Sequence, residues 1–353
     1  MDRISPYYQI LKEKIPLIDL RSPGEFKKGA FPQSVNFPIL KDDERARVGK
    51  TYKHQGKDAA IKMGHKLVSN EIKEIRIHTW IDFIQDHPTT RIYCARGGLR
   101  SKIAQTWLRD RGLNVKRISG GYKLLRNTAI NILDSAENDN KKWIILGGKT
   151  GTGKTNILNR LISTIDLEEL ANHRGSAFGK TDSAQPSQIN FEHSLAIHYL
   201  NHSGNTLFLE DESRTIGRVA IPNSWYGRMR LSKWVLIDIP LEERIQNIQI
   251  EYIDKPLNVG VPKTDLLLSL RSSLFKIQKR LGHELFMSIR TKIDNAFLDP
   301  KSHSHYDWIH DLLTLYYDRL YDYQISSKMG RCIYRSETSG VVDYLTNLDS
   351  EQK

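Results

Sequence analysis

Residues 143–155 read WIILGGKTGTGKT, in which an apolar run leads directly into a glycine-rich loop. The last eight residues fit the pattern G-x-x-x-x-G-K-[S/T], and residues 155–165 carry apolar side chains at helical spacing. A strand before such a loop and a helix after it direct backbone N–H groups and a helix N-terminus into one concavity that suits phosphate. The stretch therefore predicts a phosphate-binding loop (P-loop) in a parallel α/β domain.

Every residue of this loop is a candidate phosphate contact. The Lys154 ammonium would neutralise phosphate oxygens, and the Thr155 hydroxyl would bind Mg²⁺. The motif indicates a phosphate or diphosphate group but not ATP hydrolysis, and an unused glycine turn is the alternative. The full set is Gly148, Lys149, Thr150, Gly151, Thr152, Gly153, Lys154 and Thr155.

An acidic residue at the end of a neighbouring strand completes the metal site in domains of this kind. Residues 206–213, TLFLEDES, read as such a strand and offer Glu210, Asp211 and Glu212, among which the sequence does not decide. We expect Mg²⁺ as the cofactor, with no tightly bound organic cofactor and no structural metal. A solvated acidic turn is the alternative interpretation.

A second glycine-rich loop, RIYCARGGLRS at residues 91–101, follows another predicted strand and contains Cys94, one of two cysteines in the chain. A thiol near a helix N-terminus and beside arginines ionises readily. The amides that follow it could stabilise an anion on the sulfur, such as a persulfide or perselenide. These predicted anion-binding residues are Ala95, Arg96, Gly97, Gly98, Leu99 and Arg100. An inert buried cysteine is the alternative, and Cys332 is expected to be structural.

The order of the patterns predicts two α/β domains. Strand-like and helix-like stretches alternate over residues 1–135, the polar run around 136–142 reads as a linker, and a P-loop α/β domain is predicted over 143–240. Residues 241–353 read as a helical C-terminal extension of that domain. The tyrosines of this extension could stack on bases, but helix packing is the favoured interpretation for Tyr316, Tyr317, Tyr321 and Tyr323.

Charge and composition restrict the possible partners. The net charge is +12, and residues 1–140 hold 26 Lys and Arg against 16 Asp and Glu, which favours a polyanionic partner, nucleic acid before membrane. No apolar stretch of membrane-spanning length and no secretory signal are recognisable. Two cysteines do not form a disulfide framework, so a reducing, cytoplasmic setting is expected.

Several separate motifs resemble known families. DLRSPGEFKKGAFPQSVNFP at 19–38, YCARGGLRS at 93–101 and ISGGYKLLR at 118–126 resemble a rhodanese-like domain. With residues 43–68, DLEELANHRGSAFG at 166–179 and LEDESRTIG at 209–217, nearly the whole chain resembles the tRNA 2-selenouridine synthase family. Arg319 departs from the family pattern, where proline is expected, and this affects only a local helix end. The rhodanese-like positions are Asp19, Arg21, Glu25, Gly29 and Pro32.

This resemblance implies a tRNA-modifying transferase. It would replace the sulfur of wobble 2-thiouridine with selenium from selenophosphate, through S-geranylation by geranyl diphosphate. Cys94 would carry the selenium as Cys–S–Se⁻, and the implied partners are tRNA and a selenophosphate-producing enzyme. Whether the P-loop binds geranyl diphosphate, selenophosphate or a nucleotide stays open.

Five further residues are candidate substrate contacts. Gly64 is interpreted as a site of close substrate approach or as a helix-end glycine. The other four are interpreted as phosphate contacts or as ordinary surface residues, and they are His173, Arg174, Ser176 and Arg214.

Two rival functions are compatible with the motifs. One is a rhodanese-type sulfurtransferase with an accessory P-loop NTPase, for which tRNA would be irrelevant. The other is a non-catalytic redox- or nucleotide-sensing protein. The basic excess of the first 140 residues argues mildly against both.

Overall fold

The computed structural model describes residues 6–179, 183–298 and 305–350, and the elements below lie in this part of the chain. The strands are β1 (Leu17–Asp19), β2 (Ser34–Asn36), β3 (Arg91–Tyr93), β4 (Lys116–Arg117), β5 (Lys142–Gly148), β6 (Thr206–Glu210), β7 (Thr215–Ile216), β8 (Val219–Ala220), β9 (Lys233–Ile237) and β10 (Cys332–Ser336). The helices are α1 (Pro6–Lys12), α2 (Pro23–Lys28), α3 (Asp42–Leu67), α4 (Asn70–Asp86), α5 (Leu99–Arg109), α6 (Gly121–Ser135), α7 (Lys154–Leu158), α8 (Leu167–Ala171), α9 (Gln188–Asn201), α10 (Asn223–Leu231), α11 (Leu241–Gln249), α12 (Lys255–Asn258), α13 (Lys263–Lys276), α14 (Gln278–Leu281), α15 (His283–Leu298), α16 (His305–Leu312), α17 (Asp318–Lys328) and α18 (Thr338–Ser350).

The first compact unit contains the chain up to Ala136 together with Pro186–Asn201. Its four-stranded sheet has the order β2-β1-β3-β4, and all three strand pairs are parallel. Asp19 at the end of β1 pairs in register with Tyr93 at the end of β3. Because parallel strands end at the same edge, the residues after β1 and the Cys94 loop after β3 lie at one edge of this sheet.

Helix α9 belongs to this first unit, although its sequence lies between β5 and β6 of the second unit. Nδ1 of His193 donates a hydrogen bond to the carbonyl of Ala30 at 2.8 Å, and its ring stacks on Phe31 at a centroid distance of 3.9 Å. The Ala30 N–H donates to Asn190 Oδ1 at 2.8 Å. The structure therefore differs from the sequence-based boundaries, which kept residues 143–240 in one domain.

The second compact unit contains Glu137–Gln185 and the chain from His202 onward. Its sheet has the order β10-β9-β5-β6, again with parallel pairs only. The predicted strand before the P-loop is the central β5, whose residues from Trp143 to Gly148 are buried. Gly147 is required here, since a Cβ at this position would lie 2.2 Å from Nε1 of Trp234 on β9. These two sheets with their helices confirm the predicted α/β fold class.

The helix after the P-loop is shorter than the apolar spacing suggested. It ends at Leu158, after five residues. Residues 163–165 hydrogen-bond with Phe208 of β6 instead, through the Phe208 N–H to Ser163 at 2.9 Å and the Ile165 N–H to Phe208 at 3.3 Å. Pairing with a buried strand therefore replaces the predicted continuation of the helix.

The C-terminal part is mainly helical and has its own apolar core. Tyr316 and Tyr317 are buried in this core, as the helix-packing interpretation predicted, whereas Tyr323 is 81% exposed. The predicted helical extension also contains one strand, β10, which forms an edge strand beside β9. Cys332 starts this strand, and its thiol donates to the carbonyl of Tyr334 at 3.3 Å. No helix in the described ranges combines the length and the apolar character needed to cross a membrane.

Candidate functional site

The phosphate loop connects β5 to α7 in the second unit. Gly151 and Gly153 have φ angles of +88° and +75°, in the left-handed region that favours glycine. A Cβ at Gly151 would lie 2.7 Å from the carbonyl oxygen of Arg244. Apart from Thr152, whose N–H donates to Lys149, the amides of residues 150–155 make no hydrogen bond with another described residue. The loop thus presents several free N–H donors next to a helix N-terminus, as phosphate binding requires.

Glu210 is the acidic partner of this loop. The Thr155 hydroxyl donates to Glu210 Oε2 at 3.2 Å, and the Lys154 ammonium lies 3.6 Å from Glu210 Oε1. Asp211 has a different role, because its Oδ2 accepts from the buried Lys328 at 2.5 Å and from Trp234 Nε1 at 3.2 Å. The structure therefore distinguishes two adjacent acids that the sequence left equivalent.

A cluster of three carboxylates lies beside Lys154. Oxygens of Glu168, Glu210 and Glu212 all lie within 4.8 Å of one another. Burial and the charge of Glu210 raise the pKa of Glu168 to about 8, and burial also raises the pKa of Glu210 and Glu212. Burial opposes the charged form of Lys154, but the carboxylates, Glu210 foremost, raise its pKa above the usual range. These hard oxygen donors fit Mg²⁺. Glu168 was missed by the sequence reasoning, since a lone glutamate in DLEELANHRG carries no distinguishing signal.

Helix α11 supports the phosphate loop by hydrogen bonds to two of its carbonyl groups. Arg244, which is 4% exposed, donates from Nε to the carbonyl of Thr150 at 2.9 Å and forms a two-pronged ion pair with Asp318 at 2.6 and 2.9 Å. Nδ2 of Asn247 donates to the carbonyl of Gly151 at 2.9 Å. The Lys149 ammonium also lies near Asp318, and it is 2.7 Å from Asp322. Sequence reasoning missed Arg244 and Asn247, because no motif links them to the loop.

The four candidate phosphate contacts have different surroundings. The N–H of His173 donates to the carbonyl of Glu168, and burial lowers the pKa of the His173 imidazole. Ser176 and Thr150 line the same small cavity of about 30 Å³. The remaining two side chains have other partners. Arg174 pairs with Glu251 at 2.8 Å, and the exposed Arg214 donates to Asn223 at 2.9 Å.

Cys94 lies at the base of its loop and is 3% exposed. It directly follows β3, and α5 begins at Leu99, as predicted. The sulfur packs within an apolar cluster of the first unit, and its nearest polar partner is the Ser101 hydroxyl at 3.4 Å. The thiol is therefore more enclosed than a solvent-exposed nucleophile at a loop tip would be.

The backbone of this loop is held by the GG turn at residues 120–121. The Tyr122 N–H donates to the carbonyl of Cys94 at 2.9 Å. A Cβ at Gly121 would lie 2.1 Å from that carbonyl, and a Cβ at Gly97 would lie 2.6 Å from the carbonyl of Ile118. The amides of residues 95–100 donate to no other residue in the described part of the chain. They remain available to an anion, which keeps the predicted anion-binding role open as a proposal.

The two flanking arginines differ. Arg96 is exposed. Arg100 forms an ion pair with Glu25 at 2.7 Å, and Glu25 also pairs with Arg45 at 3.0 Å. Burial opposes the ionised form of Glu25, but the hydrogen bonds and charge of Arg100 outweigh it and lower the pKa of Glu25 to about 2. The charge of Arg100 is thus already balanced, and only Arg96 is left to attract an anion.

The rhodanese-like positions form the support of the loop rather than its surface. Asp19 and Arg21 form a buried ion pair at 2.6 Å, and Arg21 also donates to the carbonyl of Gly29 at 2.7 Å. The Tyr93 hydroxyl donates to Asp19 at 2.8 Å.

Gly64 lies in α3 with its carbonyl accepting from Val68, and a Cβ there would meet only Val48 at 3.8 Å.

Comparison with known proteins identifies the family. Residues 141–352 match the tRNA 2-selenouridine synthase AAA domain, and residues 7–128 match the rhodanese-like domain. The chain is 42% identical to the tRNA 2-selenouridine synthase of Shewanella denitrificans over 98% of this chain and 97% of that protein. It is 40% identical to the enzymes of that name from Shewanella frigidimarina, with 97% of each chain covered, and Marinobacter nauticus, with 96% of each covered. The resemblance inferred from the motifs is confirmed, and the chain belongs to the tRNA 2-selenouridine synthase family.

Proposed function

We propose that this chain replaces the sulfur of 2-thiouridine in tRNA with selenium, in two steps that use its two glycine-rich loops. Family membership supports the overall conversion. The observation that carries the two-step scheme is the Thr155–Glu210–Lys154 arrangement, because a sulfurtransferase that uses only Cys94 has no need of a phosphate site.

In the first step, the phosphate loop binds the diphosphate of geranyl diphosphate. The thiouridine sulfur attacks the first carbon of the geranyl chain, so a C–S bond forms as the C–O bond breaks. Diphosphate leaves, and the base loses its N3 proton. Lys154 and the free amides of residues 150–155 stabilise the charge that grows on the leaving oxygen.

The expected Mg²⁺ fits the donor set beside this loop. Thr155 and Glu210 would bind it directly, with Glu168 and Glu212 close by. When bound, Mg²⁺ supplies positive charge that stabilises the departing diphosphate. The raised pKa values of the carboxylates mean that they release protons on binding a cation.

In the second step, selenium displaces the geranylated sulfur. Water cleaves the P–Se bond of selenophosphate, selenium adds to C2 of the base, and the C2–S bond breaks. Geranylthiol leaves after taking a proton, and phosphate is the other product. The selenide released by this hydrolysis supplies the electron pair of the new C2–Se bond, and we assign the Cys94 loop to hold it as an anion, without an S–Se bond, through the amides of residues 95–100 and Arg96.

The test uses the purified protein with thiouridine-containing tRNA, geranyl diphosphate and selenophosphate, followed by mass spectrometry of the nucleosides. Wild type should yield selenouridine. Cys94→Ala should stop at S-geranyl-thiouridine, and Lys154→Ala should leave thiouridine unchanged. Cys332→Ala is the matched control and should behave as wild type. Selenouridine from Cys94→Ala would show that the role given to Cys94 is wrong.

A further inference from the structure

A cavity in the first unit adjoins the helix that follows the Cys94 loop. Its volume is about 460 Å³, within the roughly 300–1,000 Å³ range of small-molecule sites. One wall is α5, where Leu99, Ile103 and Trp107 face the cavity. The opposite face of α5, with Ser101, Ala104 and Leu108, is buried, and Ser101 contacts Cys94.

The second wall is helix α3, which is bent at Gly56. Gly56 has φ +84° and ψ −174°, a backbone conformation outside the helical region. Val48 and Tyr52 before the bend, and Ala60 and Ile61 after it, all line the cavity. Residues from both segments of the bent helix therefore line one shared space.

The cavity is apolar but accessible from outside. Tyr52 is 60% exposed and Leu99 is 45% exposed, so these walls lack a covering partner within the described ranges. A space of 460 Å³ would hold about fifteen water molecules at about 30 Å³ each. Water bound against such walls lacks hydrogen-bond partners, so an aliphatic ligand of comparable size is strongly favoured.

The polar groups of the lining define the rest of the ligand. They include Lys57, His65 and Arg100, of which Arg100 is already paired with Glu25 at 2.7 Å. An aliphatic chain attached to a polyanion matches an apolar cavity whose lining includes the ammonium of Lys57. The cavity also shares Ile39, Leu40, Val68 and Trp107 with the apolar cluster that surrounds Cys94.

We propose that this cavity binds the geranyl chain of the S-geranylated base while C2 of that base reacts at the Cys94 loop. The inference rests on the proposed function and adds a site for the leaving group. As the C2–S bond breaks, its electron pair goes to sulfur, and the geranylthiolate takes a proton with its chain still in the cavity. The bound geranyl chain thus positions the base in the first unit for selenium transfer.

The test separates binding of the geranyl chain in the cavity from the earlier step that attaches this chain to the base. Anticodon stem-loop RNAs that already carry S-geranyl- or S-methyl-2-thiouridine are given to the full-length protein with selenophosphate. Wild type should prefer the geranyl RNA. Ile61→Trp, which fills the cavity, should reduce binding and conversion of the geranyl RNA by at least about tenfold, because each buried methylene changes affinity about fourfold. The S-methyl RNA is the reference substrate, and the ratio of geranyl to S-methyl conversion should fall by the same factor.

The control is Ile75→Trp, since Ile75 is 59% exposed on α4 and does not line the cavity. Ile61→Ala, which only enlarges the cavity, guards against misfolding of the tryptophan variant and should keep the geranyl preference. An unaltered preference in folded Ile61→Trp would overturn the cavity assignment and leave the proposed function intact. If wild type converts neither RNA, the proposed function fails, and the binding comparison still decides the cavity.

Discussion

The Thr155 hydroxyl lies 3.2 Å from Glu210 Oε2, and this contact connects the end of the phosphate loop to the end of the neighbouring strand β6. The next residue, Asp211, instead forms an ion pair with Lys328 at 2.5 Å. Two adjacent acids therefore have separate functions, one at the proposed metal site and one in holding the fold together. This separation leads to the first prediction.

Glu210→Gln should lower geranylation by about 100-fold or more, because it removes the charged side chain proposed to bind Mg²⁺ at the leaving group. Its free energy of unfolding should stay close to that of wild type or increase, since the mutation relieves repulsion in the carboxylate cluster. Asp211→Ala should instead destabilise the protein by about 3 kcal/mol, because Lys328 loses its buried partner. Single-turnover assays and urea unfolding of both variants provide the comparison. Equal loss of activity in two equally stable variants would contradict the assignment.

Arg244→Gln should weaken diphosphate binding indirectly, because Arg244 supports the phosphate loop and is not itself a proposed ligand contact. The guanidinium holds the carbonyl of Thr150 and neutralises Asp318, so its loss frees the loop and leaves the partly buried Asp318 carboxylate with the more distant Lys149, at 3.6 Å. We expect a loss of stability of about 3 kcal/mol and a higher KM for geranyl diphosphate. Calorimetric titration with inorganic diphosphate measures the affinity directly. Arg335→Gln is the control, because the Arg335–Asp238 pair is exposed; an equal effect of both mutations would argue against a supporting role for Arg244.

Ser101→Ala should slow selenium transfer but not geranylation. The Ser101 hydroxyl is the polar group next to the Cys94 sulfur, at 3.4 Å. Since a hydrogen bond contributes about 1 kcal/mol, we expect a roughly fivefold loss in the rate of selenouridine formation. Starting from S-geranylated RNA isolates this step. If the same loss occurs in the geranylation assay, Ser101 has a general structural effect and no particular relation to Cys94.

His193 should make the first unit sensitive to acid. Its ring projects from α9, stacks on Phe31 and is fully buried. This burial lowers the pKa of His193 from 6.5 to about 3. The unfolded chain therefore binds a proton below about pH 6.5 that the native ring does not accept until about pH 3. The free energy of unfolding should fall as the pH is lowered through this window, by up to about 1.4 kcal/mol per pH unit.

His193→Gln should flatten this dependence, measured by urea unfolding at a series of pH values between 6.5 and 3.5. The matched control is His78→Gln, because His78 is exposed on α4 and its ring hydrogen-bonds to the carbonyl of Glu74 in its own helix. A slope that persists in His193→Gln would mean that other groups cause the acid sensitivity.

Local patterns sufficed for the elements that carry the two loops. Strands β3 and β5, the turns after them and the start of α5 follow from apolar runs and glycine positions, since these depend on neighbours along the chain. Helix α9 did not follow in the same way. Its burial depends on Ala30 and Phe31, more than 150 positions earlier in the sequence, and no local signal encodes such a contact.

The amino-acid sequence by itself determined the α/β class, the family and the positions of the two glycine-rich loops, because each rests on residue types at short, fixed spacings. Only the tertiary structure decided that Glu210 and not Asp211 meets Thr155, that Glu168 joins the carboxylate cluster, and that Arg100 is neutralised by Glu25. The bent helix α3 and its apolar cavity are likewise visible only in three dimensions. The physical reason is that ion pairing, proton affinity and cavity formation depend on which distant side chains the folded backbone brings within a few ångströms.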